Sequence, residues 1–253
     1  MNKIALITGA GSGIGKSCAE ALASEQFNLI LVARRKHTLL TLKDELESKY
    51  NIQCMIIDMD IRNKKKVFEN IEKLSDDWKY IDILINNAGL ALEMNSIDEG
   101  DTDDWDIMID TNIKGLLYVS KAVIPLMKKS GKGHIINIGS IAGKEVYPKG
   151  NVYCSTKYAV DAISKSMRID LLSHNIKVTQ VAPGAVETEF SLVRYKGDLE
   201  KANAVYQGFI PLTPKDVAEV VLFCISRPRH VNINDVLVMP TQQAAAGIFN
   251  KTL

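Results

Sequence analysis

A chain of 253 residues is long enough for one large domain whose core needs no covalent staples. Its net charge of +1, with 46% hydrophobic and 24% charged residues, excludes the basic footprint of a nucleic-acid binder and suits an ordinary globular enzyme. Cys18, Cys54, Cys154 and Cys224 lack CxxC spacing, and His37, His134, His174 and His230 are far apart, so reduced thiols are expected and no metal centre.

The apolar run at 4–8 is too short for a signal peptide and reads as a first strand. A glycine-dense turn follows it, then a helical pattern over 14–24. Further strand-like runs, rich in Ile and Val, lie at 28–33, 53–58, 81–86, 134–139, 177–182 and 235–239. Helical patterns alternate with them at 36–50, 64–74, 104–129, 151–174 and 214–226. Strand–helix alternation implies βαβ units with right-handed crossovers, hence a doubly wound parallel sheet of seven strands in a single α/β domain over 1–253. The stretch from Pro183 to Pro211 breaks the alternation. It follows the sixth strand at the carboxyl edge of the sheet, and a long connection there is expected to form a substrate lid at about 184–212. No stretch approaches the ~20 apolar residues of a membrane helix. The C-terminal residues carry no lipidation signal, so a cytoplasmic location is expected.

The turn reads Thr8-Gly9-Ala10-Gly11-Ser12-Gly13-Ile14-Gly15, a Thr-Gly-x-x-x-Gly-x-Gly spacing between a strand and a helix. Glycines there let backbone N–H groups approach a pyrophosphate at a helix N-terminus. The second strand runs into Arg34-Arg35, with no acid until Asp44. An acid at this place would receive the ribose 2′-hydroxyl of NAD, whereas two guanidinium groups suit a 2′-phosphate, so the expected cofactor is NADP.

Tyr153 and Lys157 are four residues apart in a helical stretch, and Ser140 closes the fifth strand-like run. That spacing puts phenol and ammonium on one helix face. The ammonium is expected to lower the phenol's pKa, making Tyr153 a general acid/base beside a hydroxyl that polarises a carbonyl. This set reads as hydride-transfer chemistry on a dinucleotide.

The chain resembles the short-chain dehydrogenase/reductase family along essentially its whole length. The motifs that carry the likeness are Thr8-Gly9-x-x-x-Gly13-x-Gly15, Asp60-Ile61, Asn86-Asn87-Ala88-Gly89, Asn112, Ser140, Tyr153-x-x-x-Lys157 and Pro183-Gly184-x-x-x-Thr188. The resemblance implies a Rossmann-type fold and a catalytic set of Asn112, Ser140, Tyr153 and Lys157. It places Gly9, Ser12, Gly13, Ile14 and Gly15 at the pyrophosphate, Asp60 and Ile61 at the adenine, and Asn87, Ala88 and Gly89 at the ribose. Lys157 would hold ribose hydroxyls. Asn112 would hold a water linking Lys157 to bulk. Pro183 and Gly184 would also border the cofactor, and the backbone at Val186 and the hydroxyl at Thr188 would grip the nicotinamide amide. The family usually forms tetramers or dimers, so a homotetramer or homodimer is implied.

A narrower likeness, to NADP-dependent 3-hydroxy acid dehydrogenases, lies in Asp82 to Leu92, Gly150 to Tyr153, Glu189 to Asp198 and His230 to Asn234. It implies serine, L-allo-threonine or 3-hydroxypropionate-type substrates, and malonic semialdehyde in reduction. Two departures stand out: Pro183 to Thr188 is one residue shorter than that subgroup often has, and Ser12 replaces a basic residue that some NADP users carry. Arg194 and Lys196 are the lid cations that could meet the substrate carboxylate, with Arg194 the expected anchor, and Glu93 and Glu145 are expected near the pocket. The rival expectation is a short-chain reductase of other carbonyls, such as ketoacyl, sugar or xenobiotic ketones. A dinucleotide sensor without turnover is disfavoured by the intact catalytic set.

Overall fold

A computed structural model describes residues 2–252. Seven strands form one parallel sheet: β1 (Ile4–Thr8), β2 (Asn28–Ala33), β3 (Cys54–Asp58), β4 (Ile81–Asn86), β5 (Gly133–Ile138), β6 (Ile176–Pro183) and β7 (Asp235–Val238). Their order is β3-β2-β1-β4-β5-β6-β7. The chain winds outward from β1 to β3, then restarts at β4 on the other side of β1. The switch point between β1 and β4 is where such sheets open a crevice at their carboxyl ends.

Period-two alternation sends side chains to opposite faces. Ala5, Ile7, Leu29 and Leu31 pack against α1 (Gly13–Ser24), α2 (Lys36–Tyr50) and α9 (Pro214–Ile225). Leu6, Ile30 and Val32 pack against α3 (Lys64–Glu72), α5 (Leu116–Ser130) and α6 (Asn151–Asp170). Both faces are covered, which explains why these strands read as unbroken apolar runs. Local chemistry ends the helices: Asn51 takes a left-handed conformation after α2, and Thr213 and Asp216 form a capping box ahead of α9, with Pro214 in its first turn.

The helical pattern at 104–129 is three pieces. α4 (Thr102–Ile109) and α5 flank a π-helical turn, Asp110–Gly115. The pattern at 151–174 likewise ends at Asp170, with a 3-10 turn at Leu172–His174. The lid stretch holds two short helices, α7 (Phe190–Arg194) and α8 (Leu199–Ala204). A small antiparallel hairpin, β8 (Gln243–Ala245) with β9 (Ile248–Phe249), follows β7 and was not expected from the sequence pattern.

A buried polar chain ties the site-bearing elements together. Asn86 Nδ2 donates to Asn137 Oδ1 and Ser120 Oγ, each at 2.9 Å, and Asn137 Nδ2 donates to Ser164 Oγ at 2.9 Å. It joins β4 and β5 to α5 and α6. Removing its centre leaves buried polar groups unpaired. Asn137→Ala is expected to lower the unfolding free energy by about 1–3 kcal/mol, read by urea denaturation. An unchanged midpoint would show that the chain of amides contributes nothing.

Candidate active site

The cleft above the switch point has a volume of about 390 Å³ and runs from Arg34 and Arg35 to Ser140 and Tyr153. Gly9, Ser12, Gly13, Ile14, Asp60, Ile61, Asn87, Ala88, Gly89, Pro183, Gly184, Val186 and Thr188 also line it. Twelve of the expected cofactor residues thus sit on loops at strand ends, as the sheet rule requires. Gly15, the remaining turn glycine, lies buried in α1 behind them.

The floor at β1 and β4 is stitched by one threonine and one amide. Thr8 Oγ1 accepts from the backbone N–H groups of Asn87 and Ala88, both at 3.1 Å. Asn87 Nδ2 donates to the carbonyls of Thr8 and Gly9 at 3.0 and 3.2 Å. Gly9 has φ +67, and a Cβ there would come 2.7 Å from Asn87 Nδ2. Only glycine fits that approach. Ser12 stands at the N-cap of α1, but its side chain makes no bond to the helix, so the first-turn N–H groups face the cleft. An open helix N-terminus in a long cleft with two arginines at one end fits a phosphorylated dinucleotide.

The catalytic candidates come from three elements. Ser140 lies beyond β5, at the head of a 3-10 turn, Ile141–Gly143, where its Oγ accepts from Ala142 N at 3.1 Å. Tyr153 lies in the first turn of α6, where the Ser140 side chain acts to lower its pKa. Lys157, one turn on, is buried and donates to the Ile138 carbonyl at 3.0 Å. A Cβ at Gly143 would meet the Lys157 carbonyl at 2.5 Å, so the bare glycine lets the Ser140 turn lie directly on α6. Asn112 sits in the π turn and is fully engaged by protein. Its Oδ1 accepts from Leu90 N at 2.9 Å, and its Nδ2 donates to the Leu90 carbonyl at 2.8 Å and Thr156 Oγ1 at 3.0 Å. Any water relay here would therefore run from the main chain, where a π turn disturbs the carbonyl ladder, and not from this amide.

The electrostatics differ from the expectation on one point. Burial drives the Tyr153 phenol well above its ordinary pKa, the Tyr147 phenol adds to this, and the opposing charge is Arg194. Lys157 Nζ stands 6.0 Å from the Tyr153 ring centre and is itself lowered to about 8 by burial. The cation that acts on the Tyr153 phenol is Arg194 and not Lys157.

The lid supplies residues that spacing alone did not single out. Phe190 packs edge-on against Tyr153, ring centres 5.6 Å apart. The Arg194 guanidinium carbon lies 5.1 Å from both ring centres, and Nη2 donates to Tyr147 Oη at 3.0 Å. Tyr147 is a new member of the site, six residues ahead of Tyr153 with no motif to announce it. Glu145 is drawn elsewhere, accepting from Ala246 N in the terminal hairpin at 2.9 Å, while Glu93 meets the lid through its backbone, N–H to the Arg194 carbonyl at 2.8 Å. Gln243 in the same hairpin accepts from Ala185 N at 2.8 Å and so braces the Pro183–Val186 loop.

At the other end, Asp60 is occupied by a neighbour. Arg62 Nη2 bonds Asp60 Oδ2 at 2.6 Å, and Arg62 Nε reaches both carboxylate oxygens. Burial acts to raise the Asp60 pKa, but the Arg62 bonds outweigh it and hold the carboxyl low. Arg35 Nη2 bonds Glu189 Oε2 at 2.7 Å.

The family model described as short chain dehydrogenase matches residues 3–197. The chain belongs to the short-chain dehydrogenase family. This dehydrogenase is 45% identical over 245 residues to the NADP-dependent 3-hydroxy acid dehydrogenase of Schizosaccharomyces pombe (strain 972 / ATCC 24843), covering 96% of this chain and 95% of that one. It is 42% identical, with 96% of each covered, to sulfoacetaldehyde reductase 2 of Chromohalobacter salexigens. Among solved structures, the closed form of serine dehydrogenase complexed with NADP+ superposes with a TM-score of 0.91 at 44% identity, covering 98% of both chains. Among the described residues, no group of His, Cys, Asp and Glu could hold a metal ion, and no helix is long and apolar enough to cross a membrane.

The depressed Lys157 pKa has a measurable consequence. Below pH 8 both folded and unfolded chains carry the proton, and the folded chain bears the cost of burying it, at most about 3 kcal/mol. Between pH 8 and the unfolded value of 10.5 the unfolded chain binds more protons, so stability rises with pH. The stability of wild type relative to Lys157→Met is therefore expected to improve as pH rises through this window, read by urea unfolding at several pH values. A gap that stays constant would contradict a lysine buried as a cation.

Proposed function

We propose that this short-chain dehydrogenase is an NADP(H)-dependent oxidoreductase acting on 3-hydroxy acids of the serine, L-allo-threonine or 3-hydroxypropionate type. The observation that carries the reading is Arg194: a half-buried guanidinium over the Tyr153 ring with no carboxylate partner among the described residues. A cation so placed is matched by an anion on the substrate, a short distance from the carbon that reacts at Tyr153. The Arg34-Arg35 pair, without an acid at the end of β2, favours the 2′-phosphate form of the cofactor.

NADP(H), when bound, supplies the nicotinamide that gives or takes the hydride. The protein's share is positioning and proton transfer. Arg194 and Tyr147 hold the substrate carboxylate. Ser140 donates to the substrate oxygen and Tyr153 exchanges its proton, as acid in reduction and base in oxidation. Its raised pKa keeps the phenol in the protonated, donor form near neutral pH. Lys157 holds ribose hydroxyls, and Asn112 fixes the Gly89–Leu90 backbone beside them. Val186 and Thr188 secure the carboxamide end. Phe190 closes the apolar side of the pocket and excludes water.

Two supporting features concern the setting. Leu117 on α5, Tyr158 and Ile169 on α6 and Leu172 just beyond it are exposed apolar side chains, which supports a homodimer or homotetramer. The four buried, unpaired thiols suit a reducing cytoplasm.

Tyr153→Phe is expected to lower kcat by about 10²–10⁴-fold while NADP+ still binds, followed by reduced-nicotinamide absorbance and by titration calorimetry. Near-normal turnover would remove Tyr153 from the proton step. Arg194→Ala is expected to cut kcat/KM for L-allo-threonine and 3-hydroxypropionate about tenfold or more, with little change on a neutral secondary alcohol. Equal losses on charged and neutral substrates would show that Arg194 shapes the lid only.

A further inference from the structure

Glu189 is unused by the chemistry above, yet it makes the contact that spans the cofactor cleft. It precedes α7 on the lid, and Ser12, Arg35 and Glu189 all line the same cleft. Its Oε2 meets Arg35 Nη2 at 2.7 Å, 154 residues away in sequence. The Ser12 side chain, which makes no bond to its own helix, lines the cleft beside it. The Arg35 bond and charge outweigh burial and hold the Glu189 carboxyl below its usual range, so it is an anion near neutral pH. Both partners of the ion pair are about half exposed, 48% and 52%, so an incoming anion can reach either.

We infer that Glu189 is an internal stand-in for the 2′-phosphate, a specificity-determining residue that the cofactor must displace from Arg35. The inference rests on the proposed NADP(H) reading. Arg35 has one planar guanidinium to offer, and a carboxylate and a phosphate compete for the same fork of N–H donors. A phosphate dianion carries more charge and more acceptor oxygens than a carboxylate, so it wins, but against a standing competitor. A dinucleotide lacking the 2′-phosphate leaves the ion pair in place and the lid tethered across the cleft. Glu189 therefore sets how strongly the enzyme distinguishes the two cofactors and links 2′-phosphate entry to release of the lid that carries Phe190 and Arg194.

The test is titration calorimetry with adenosine 2′,5′-bisphosphate and 5′-AMP on wild type, Glu189→Gln, Arg35→Ala and the double variant. Glu189→Gln is expected to bind the 2′,5′-bisphosphate about two- to fivefold more tightly, the range an exposed ion pair supports. Binding of 5′-AMP is expected to be unchanged. In the Arg35→Ala background the same substitution is expected to do nothing. Weaker or unaltered binding of the 2′,5′-bisphosphate in Glu189→Gln overturns the inference, as does an equal gain for both nucleotides, which would mark a bulk charge effect. Wild type binding 5′-AMP as tightly as the 2′,5′-bisphosphate is a different result: it defeats the NADP(H) reading itself.

Discussion

A lysine ammonium buried against the end of a strand is the constraint around which the site is organised. Lys157 reaches Ile138 across the junction of α6 and β5, and burial works against its charge. Such a group persists only where the surroundings over-determine it. The surroundings here are the Asn86–Asn137–Ser164 chain beneath it and the Gly143 contact that seats the Ser140 turn on α6. Asn112, locked to Leu90 and Thr156, closes the remaining side. Stability given up at one ammonium is recovered in a rigid scaffold that holds Ser140 and Tyr153 in fixed relation.

The cleft has cationic groups at both ends and glycine-rich backbone between them. Arg34 and Arg35 line one end, and at the other Arg194 stacks on Tyr153 and Phe190, which line it. Their surroundings differ. Arg35 is held in an exposed ion pair that anions can exchange, whereas Arg194 is half-buried over aromatic rings with a phenol as its partner. Exposed pairs are weak and exchangeable, while a desolvated guanidinium discriminates strongly. The adenosine end is thus suited to tuning cofactor choice and the lid end to selecting substrate.

The lid connects them. Glu189, at the N-cap of α7, and Arg194, at its end, lie little more than one helical turn apart, so one short helix carries a side chain toward the cofactor's end and another toward the substrate's end. Gln243 and the Ala246 amide from the terminal hairpin brace the lid's root and the Glu145 loop.

Much of this was legible in the chain itself. Unbroken Ile- and Val-rich runs specify a sheet covered on both faces, because parallel strands bury both sides. The glycine turn, Tyr153 with Lys157, and Ser140 at a strand end follow from local spacing, which a helix or turn converts directly into geometry. What the sequence could not decide is which charges meet. Arg62 on Asp60, Glu189 on Arg35, and Arg194 rather than Lys157 against Tyr153 each join residues brought together by the crossover order, and no local period encodes that. The π turn at Asp110–Gly115 was hidden for a related reason: one extra residue per turn barely disturbs an apolar pattern, and its stabilisation comes from Asn112 bonding to segments distant in sequence. Local propensity and periodicity determined the elements and the reactive groups; the packing of distant loops over the switch point decided their charge partners.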